Sequence, residues 1–115
     1  MINTNYFFLP VDFFKDERVR FIETLTDGAD ILIYYFELIR LATRQNNGGK
    51  IRYDHRTERT KEAVDFITQT YIDKSSRALS ILSKCGLIDR HIGYFVIKDW
   101  ELFQPLDSCG EDVKT

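Results

Sequence analysis

Lys74, Ser76, Arg77 and Lys84 fall within the stretch Asp73–Lys84, DKSSRALSILSK, where cations and hydroxyls recur beside an apolar pattern. Ammonium, guanidinium and hydroxyl groups donate to phosphate oxygens and to base edges; their chemistry is binding. Lys74 and Arg77 are three apart, so on a helix their side chains emerge near each other at its N-terminal end. Ser75 and Ser76 can add donors there, as can the first-turn N–H groups. Asp73 brings a carboxylate to the same end, where it is placed as an N-cap, and a solvated face behind a capping Asp accounts for the same residues. Arg90 and His91 sit at the tip of the loop Asp89–Gly93, within reach of a neighbouring groove. Arg56, Arg59 and Lys61 form a further basic group suited to backbone phosphates, or a charged loop balanced by Asp54, Glu58 and Glu62. Double-stranded DNA is the partner these residues suit.

Catalysis is not expected. The two histidines, His55 and His91, fall in polar segments with no motif for a triad. Two cysteines and two histidines far apart do not make a metal site. Asn46-Asn47-Gly48-Gly49 lacks the GK[ST] ending of a phosphate loop and is better taken as a helix-to-strand turn. No catalytic residue, metal or cofactor is assigned.

The elements that must position the basic residues follow from periodicity. Ser75, Ala78, Leu79, Leu82 and Cys85 mark the inward face of a helix, Gly86 stops it, and Leu87-Ile88 with Tyr94–Ile97 form a hairpin. Upstream, Asp16 can cap a helix over Glu17–Leu25, and Asp27-Gly28 ends it. A second helix from Ala29 to Gln45 is apolar nearly all round, which places it centrally in the core or shares it with another subunit. Lys50–Tyr53 is a short strand, and a third helix opens at Arg59 or Thr60 and ends near Thr70, with Tyr71-Ile72 as the turn into the basic helix. Asn5–Leu9 is a short strand or a packed aromatic arm. The expected fold is mainly α with a small β-hairpin, an α+β winged helix-turn-helix. It spans residues 1–104, and residues 105–115 form an acidic, disordered tail.

The net charge of −2 disguises an uneven distribution. Residues 48–98 carry ten basic and six acidic side chains, whereas residues 99–115 carry one and five. The basic excess coincides with the helix-turn-helix, and phosphate responds to the local face more than to the total. The longest apolar run, Ile31–Phe36, is too short to span a bilayer. Without a secretory leader, and with only Cys85 and Cys109 at no CxxC spacing, a reduced cytoplasmic chain is expected.

FIETLTDGADILIYYFELIRLATRQNNGGKI, the pair Ala78-Leu79 followed by CGLI, and IKDWE within Val96–Glu101 resemble the N-terminal domain of phage replisome organiser proteins, related to DnaD-type primosome proteins. The resemblance runs from about Phe7 to Phe103. It implies a winged-helix domain that helps organise DNA replication of a phage or prophage in a bacterial host cell. Origin DNA, self-assembly, and host helicase-loading or primosome proteins are the implied contacts. It transfers no base-contacting residue. Members of that family generally continue beyond the winged helix, and Ser75 stands where they more often have an apolar residue. Tyr6, Phe7 and Phe8 of the arm, with Tyr34 and Tyr35 of the second helix, are the expected homo-oligomer contacts. The same surface suits a protein-interaction module that oligomerises or binds a host replication or defence protein without DNA.

Overall fold

Asp16 accepts the Arg18 backbone N–H at 2.8 Å and so caps α1 (Glu17–Glu23), as its place ahead of Val19 and Ile22 predicts. The computed structural model describes residues 6–69 and 72–104. After α1 come α2 (Gly28–Gln45), α3 (Glu58–Gln69) and α4 (Ile72–Lys84). Strands β1 (Lys50–Arg52), β2 (Ile88–His91) and β3 (Tyr94–Ile97) pair antiparallel in the order β1-β3-β2. This is an α+β winged helix-turn-helix: α3 and α4 are its two helices, β2 and β3 its wing, and β1 closes the sheet. The expected tail, Cys109 and part of the Tyr71-Ile72 turn lie outside the described residues.

The all-round hydrophobicity of α2 has an internal explanation. Helices α1, α3 and α4 and strands β1 and β3 pack around it, and Leu38, Ile39, Leu41 and Ala42 are fully buried. Of its apolar residues, Ile33 is left 59% exposed. Tyr34 and Tyr35, expected at an oligomer contact, are 6% and 1% exposed and belong to the interior. Tyr35 joins Phe13, Phe36 and Phe103 in an aromatic layer, and burial pushes its phenol far above the ordinary range. Tyr34 donates to Ser75 Oγ at 3.1 Å, and Ser75 Oγ donates to the Ile67 carbonyl at 3.2 Å. One hydroxyl thus ties α2, α4 and α3 together, and Ser75 is buried because both its hydrogen-bonding roles are filled.

The segment after α2 is held from several sides. Gln45 spends its amide on β1, donating to the Arg52 carbonyl and accepting the Arg52 N–H, both at 2.8 Å. Asn46 turns the chain with φ 51°. Gly49 (φ +88°) gives its carbonyl to Ile97 N–H at 2.9 Å and lies under Trp100, where an added Cβ would come 2.7 Å from Trp100 Cγ. The runs QNNGGKI and IKDWE, far apart in sequence, are therefore one contact in the fold.

α3 starts earlier than Arg59 or Thr60. Thr57 and Thr60 cap reciprocally, each side chain accepting the other's backbone N–H at 3.1 Å, so Glu58 is the first helical residue. α4 likewise starts at Ile72, which puts Asp73 inside its first turn and not at the N-cap. Its inward face is as spaced: Ser75, Ala78, Leu79 and Leu82 are buried and Cys85 half-buried, where burial raises its thiol pKa. Leu82→Ala is expected to destabilise the domain by about 2–5 kcal/mol in urea denaturation, because Leu82 is fully buried between the helices and the sheet.

Candidate nucleic-acid interface

The outward side of α4 is the mirror of its buried side. Ser76, Arg77, Ser80, Ile81 and Lys84 line a shallow depression along it, and Lys74, Ser76, Arg77 and Lys84 are exposed. Arg77 and Lys84 are seven apart, two helical turns or about 10.5 Å along the axis. A helix that is anchored on one face and carries cations and hydroxyls on the other has the dimensions of a major-groove reader.

Arg77 is not a loose cation. Its Nε donates to Asp27 Oδ2 at 2.6 Å and its Nη2 to Asp27 Oδ1 at 3.0 Å, a bidentate pair between α4 and the start of α2. The guanidinium holds the Asp27 carboxyl below its ordinary range, and Asp27 raises the Arg77 pKa in return. Asp27 stands at the N-cap position of α2 but makes no side-chain capping bond there. The sequence offers no local signal for this pair, whose members are 50 residues apart.

The wing differs from its expected form. The ladder continues through Asp89↔Val96, Arg90↔Phe95 and His91↔Tyr94, leaving Ile92-Gly93 as the turn. Arg90 and His91 are therefore on strand β2, not at a loop tip, and the tip is Ile92, 99% exposed. An edge strand tolerates such charged residues because its outer row faces solvent. The Arg90 guanidinium lies 6.0 Å from the Phe95 ring centroid, and His91 stacks on Tyr94 at 4.7 Å. Both remain exposed.

The third basic group is largely used within the fold. Arg59 Nη1 donates to the Arg44 carbonyl at 2.6 Å, where it serves the C-terminal end of α2. Lys61 pairs with Asp65 at 3.2 Å one turn along α3. Arg56 is exposed, and its backbone N–H is held by Asp54 Oδ1 at 3.0 Å. Arg44 and Glu62 form a second bidentate pair, 2.9 and 3.2 Å, that locks α2 to α3 and keeps Glu62 charged below its ordinary pKa. Among the described residues, no group of three or more His, Cys, Asp or Glu is placed to hold a metal ion, and no helix is long and apolar enough to cross a membrane.

The family model of the N-terminal phage replisome organiser matches residues 6–114. The chain belongs to this family. Membership gives the domain a role in replication. No curated protein and no solved structure matches the chain. The residues that carry the organiser resemblance now have structural reasons: Asp27 clamps Arg77, Gly28 lies against α1, and the QNNGG run docks under Trp100. Ser75, the organiser domain's polar departure, is the hydroxyl that joins three helices.

Of the expected oligomer residues, Tyr6 and Phe8 are 57% and 42% exposed, and Phe7 packs against the core. The arm is anchored by the Phe8 N–H, which donates to the Phe103 carbonyl at 2.9 Å; it is a packed arm and not a strand. Sequence reasoning missed Val11 and Phe14, 98% and 50% exposed, which extend the exposed apolar series of the arm. Their proximity to Pro10 and the aromatic run was the available signal.

Proposed function

We propose that this organiser domain binds double-stranded DNA through α4, with Lys74 and Lys84 neutralising phosphates and Ser76 and Arg77 facing the major groove. The observation that supports this most is the polar and basic stripe Ser76–Arg77–Ser80–Lys84, in which Ile81 is the one apolar member, opposite an anchored apolar face. The wing is a secondary contact, supplying Arg90, His91 and the apolar tip Ile92. Arg56, two residues ahead of α3, meets the phosphate backbone near the first helix of the helix-turn-helix. Binding is electrostatic and modest, since Arg59 and Lys61 are engaged within the fold.

Fluorescence anisotropy with a random duplex tests the reading. Affinity is expected to fall with salt along a log–log slope of about −3 to −5, the release expected for a few phosphate contacts. Absence of binding at low salt, or binding indifferent to salt, contradicts it.

Self-assembly, or contact with a host helicase-loading, primosome or defence protein, is the second reading. It rests on the exposed apolar side chains Tyr6, Phe8, Leu9, Val11 and Phe14, which a solitary domain gains nothing by showing to water. Sedimentation velocity on the chain and on a Phe8→Ser/Phe14→Ser variant is expected to show an association that the variant loses. A strict monomer at every concentration contradicts the self-assembly part.

A further inference from the structure

We propose that Asp27 is a positioning residue that makes Arg77 a reader of guanine, an inference that rests on the duplex-binding reading above. An arginine has five N–H donors in one plane. Asp27 takes the Nε–H and one Nη2–H, which together form the side edge of the guanidinium. The end fork, both Nη1–H groups and the second Nη2–H, meets no acceptor among the described residues, and half of the Arg77 side chain is exposed. A fork of parallel donors matches two adjacent acceptors on one base edge. In the major groove only guanine presents that pair, O6 and N7.

The surroundings of the pair favour a base over a phosphate. The groove in which it lies, between α2 and α4, is walled by Asp27, Asp30 and Glu37 as well as by Lys74 and Arg77. Asp27 is paired with Arg77 and Glu37 with Arg40 at 2.8 Å, so neither pair leaves a net positive charge for a phosphate, and Asp30 repels a phosphate oxygen, whereas a base edge carries no formal charge. The backbone at Asp27 is fixed because Gly28 beside it sits against the α1 backbone, and the Asp27 side chain is left for Arg77 because it does not cap α2. Arg77 is thus held from a second element before DNA arrives, and little freedom is lost on binding. Lys74 and Lys84 then supply general affinity, and Arg77 supplies discrimination.

Selection of bound sequences from a randomised duplex pool, followed by affinity measurements on the selected and on an arbitrary duplex, tests this. The wild-type chain is expected to enrich a guanine, with a penalty of about tenfold for replacing it. Asp27→Asn is expected to flatten that preference to about twofold while binding the arbitrary duplex as tightly or more tightly, its salt slope steeper by about one contact as Arg77 moves to phosphate. Arg77→Lys keeps the charge but not the fork, so it is expected to lose the guanine preference. Circular dichroism melting of each variant establishes that it is folded. A guanine preference that survives Asp27→Asn overturns the inference, as does a wild-type chain that binds duplexes with no guanine preference; the duplex reading stands in both cases. A wild-type chain that binds no duplex at low salt overturns the duplex reading and this inference with it.

Discussion

Lys74→Glu combined with Lys84→Glu is expected to weaken duplex binding roughly 100-fold at low salt, because two phosphate contacts become two repulsions. Both side chains are exposed on α4, with Lys84 in its last turn, so the folded domain is expected to lose no more than about 1–2 kcal/mol of stability. The choice of residues matters. Arg77→Glu would place a second carboxylate against Asp27, and any loss of binding would mix electrostatics with damage to the α2–α4 contact. Lys74 and Lys84 flank that pair along the helix and leave it in place. Raising the salt should shrink the gap between wild type and variant, since the wild-type advantage is itself counterion release. Anisotropy titrations at two salt concentrations measure both effects. Unchanged affinity in the variant would move the DNA path off α4.

Gly28→Ala is expected to cost at least about 3 kcal/mol, or to prevent folding, from a single added methyl group. A Cβ at Gly28 would collide with the Ile22 carbonyl oxygen and approach Glu23 Cα at 3.2 Å. Both are backbone atoms of α1, which cannot rotate aside as a side chain would. Gly28 also donates its N–H to the Leu25 carbonyl at 3.0 Å, so the turn between α1 and α2 is pinned where the methyl group must go. The clash lies one residue from Asp27, so any variant that folds is also expected to lose the Arg77 clamp. Urea denaturation of Gly28→Ala beside Ala29→Gly, an exposed neighbour, separates the close approach from ordinary helix propensity, which is worth only about 1 kcal/mol at the second site. Equal small effects at the two positions would mean that α1 and α2 are not packed this closely.

The inward face of α4 was legible because 3.6-residue periodicity is a local property, and Ser75, Ala78, Leu79 and Leu82 obey it. The winged-helix order was legible for the same reason, with glycine and polar runs marking its turns. The wing's true length was not. Asp89, Arg90 and His91 read as a loop because they are polar, but strand pairing is made by the backbone, and an exposed edge strand places no apolar demand on them. The start of α3 was encoded in Thr57 and Thr60, a reciprocal cap that the charged run around them obscured. For α2, an apolar circumference has two physical meanings, and only the packing of α1, α3, α4 and the sheet around it decides for the core. That decision removes Tyr34 and Tyr35 from any contact surface and leaves the arm. The Arg77–Asp27 and Arg59–Arg44 contacts were illegible in principle, since each joins residues distant in sequence and each converts an apparently available cation into one already engaged.

The central claim is that duplex DNA lies across the outward face of α4. Backbone amide shifts of the isotopically labelled domain, followed by NMR while a short duplex is added at low salt, test it residue by residue. The account predicts that perturbations concentrate on Lys74–Lys84, with smaller ones at the Ile92-Gly93 turn and around Arg56. Perturbations confined to the arm and the Trp100–Phe103 turn, or none at all, would contradict it.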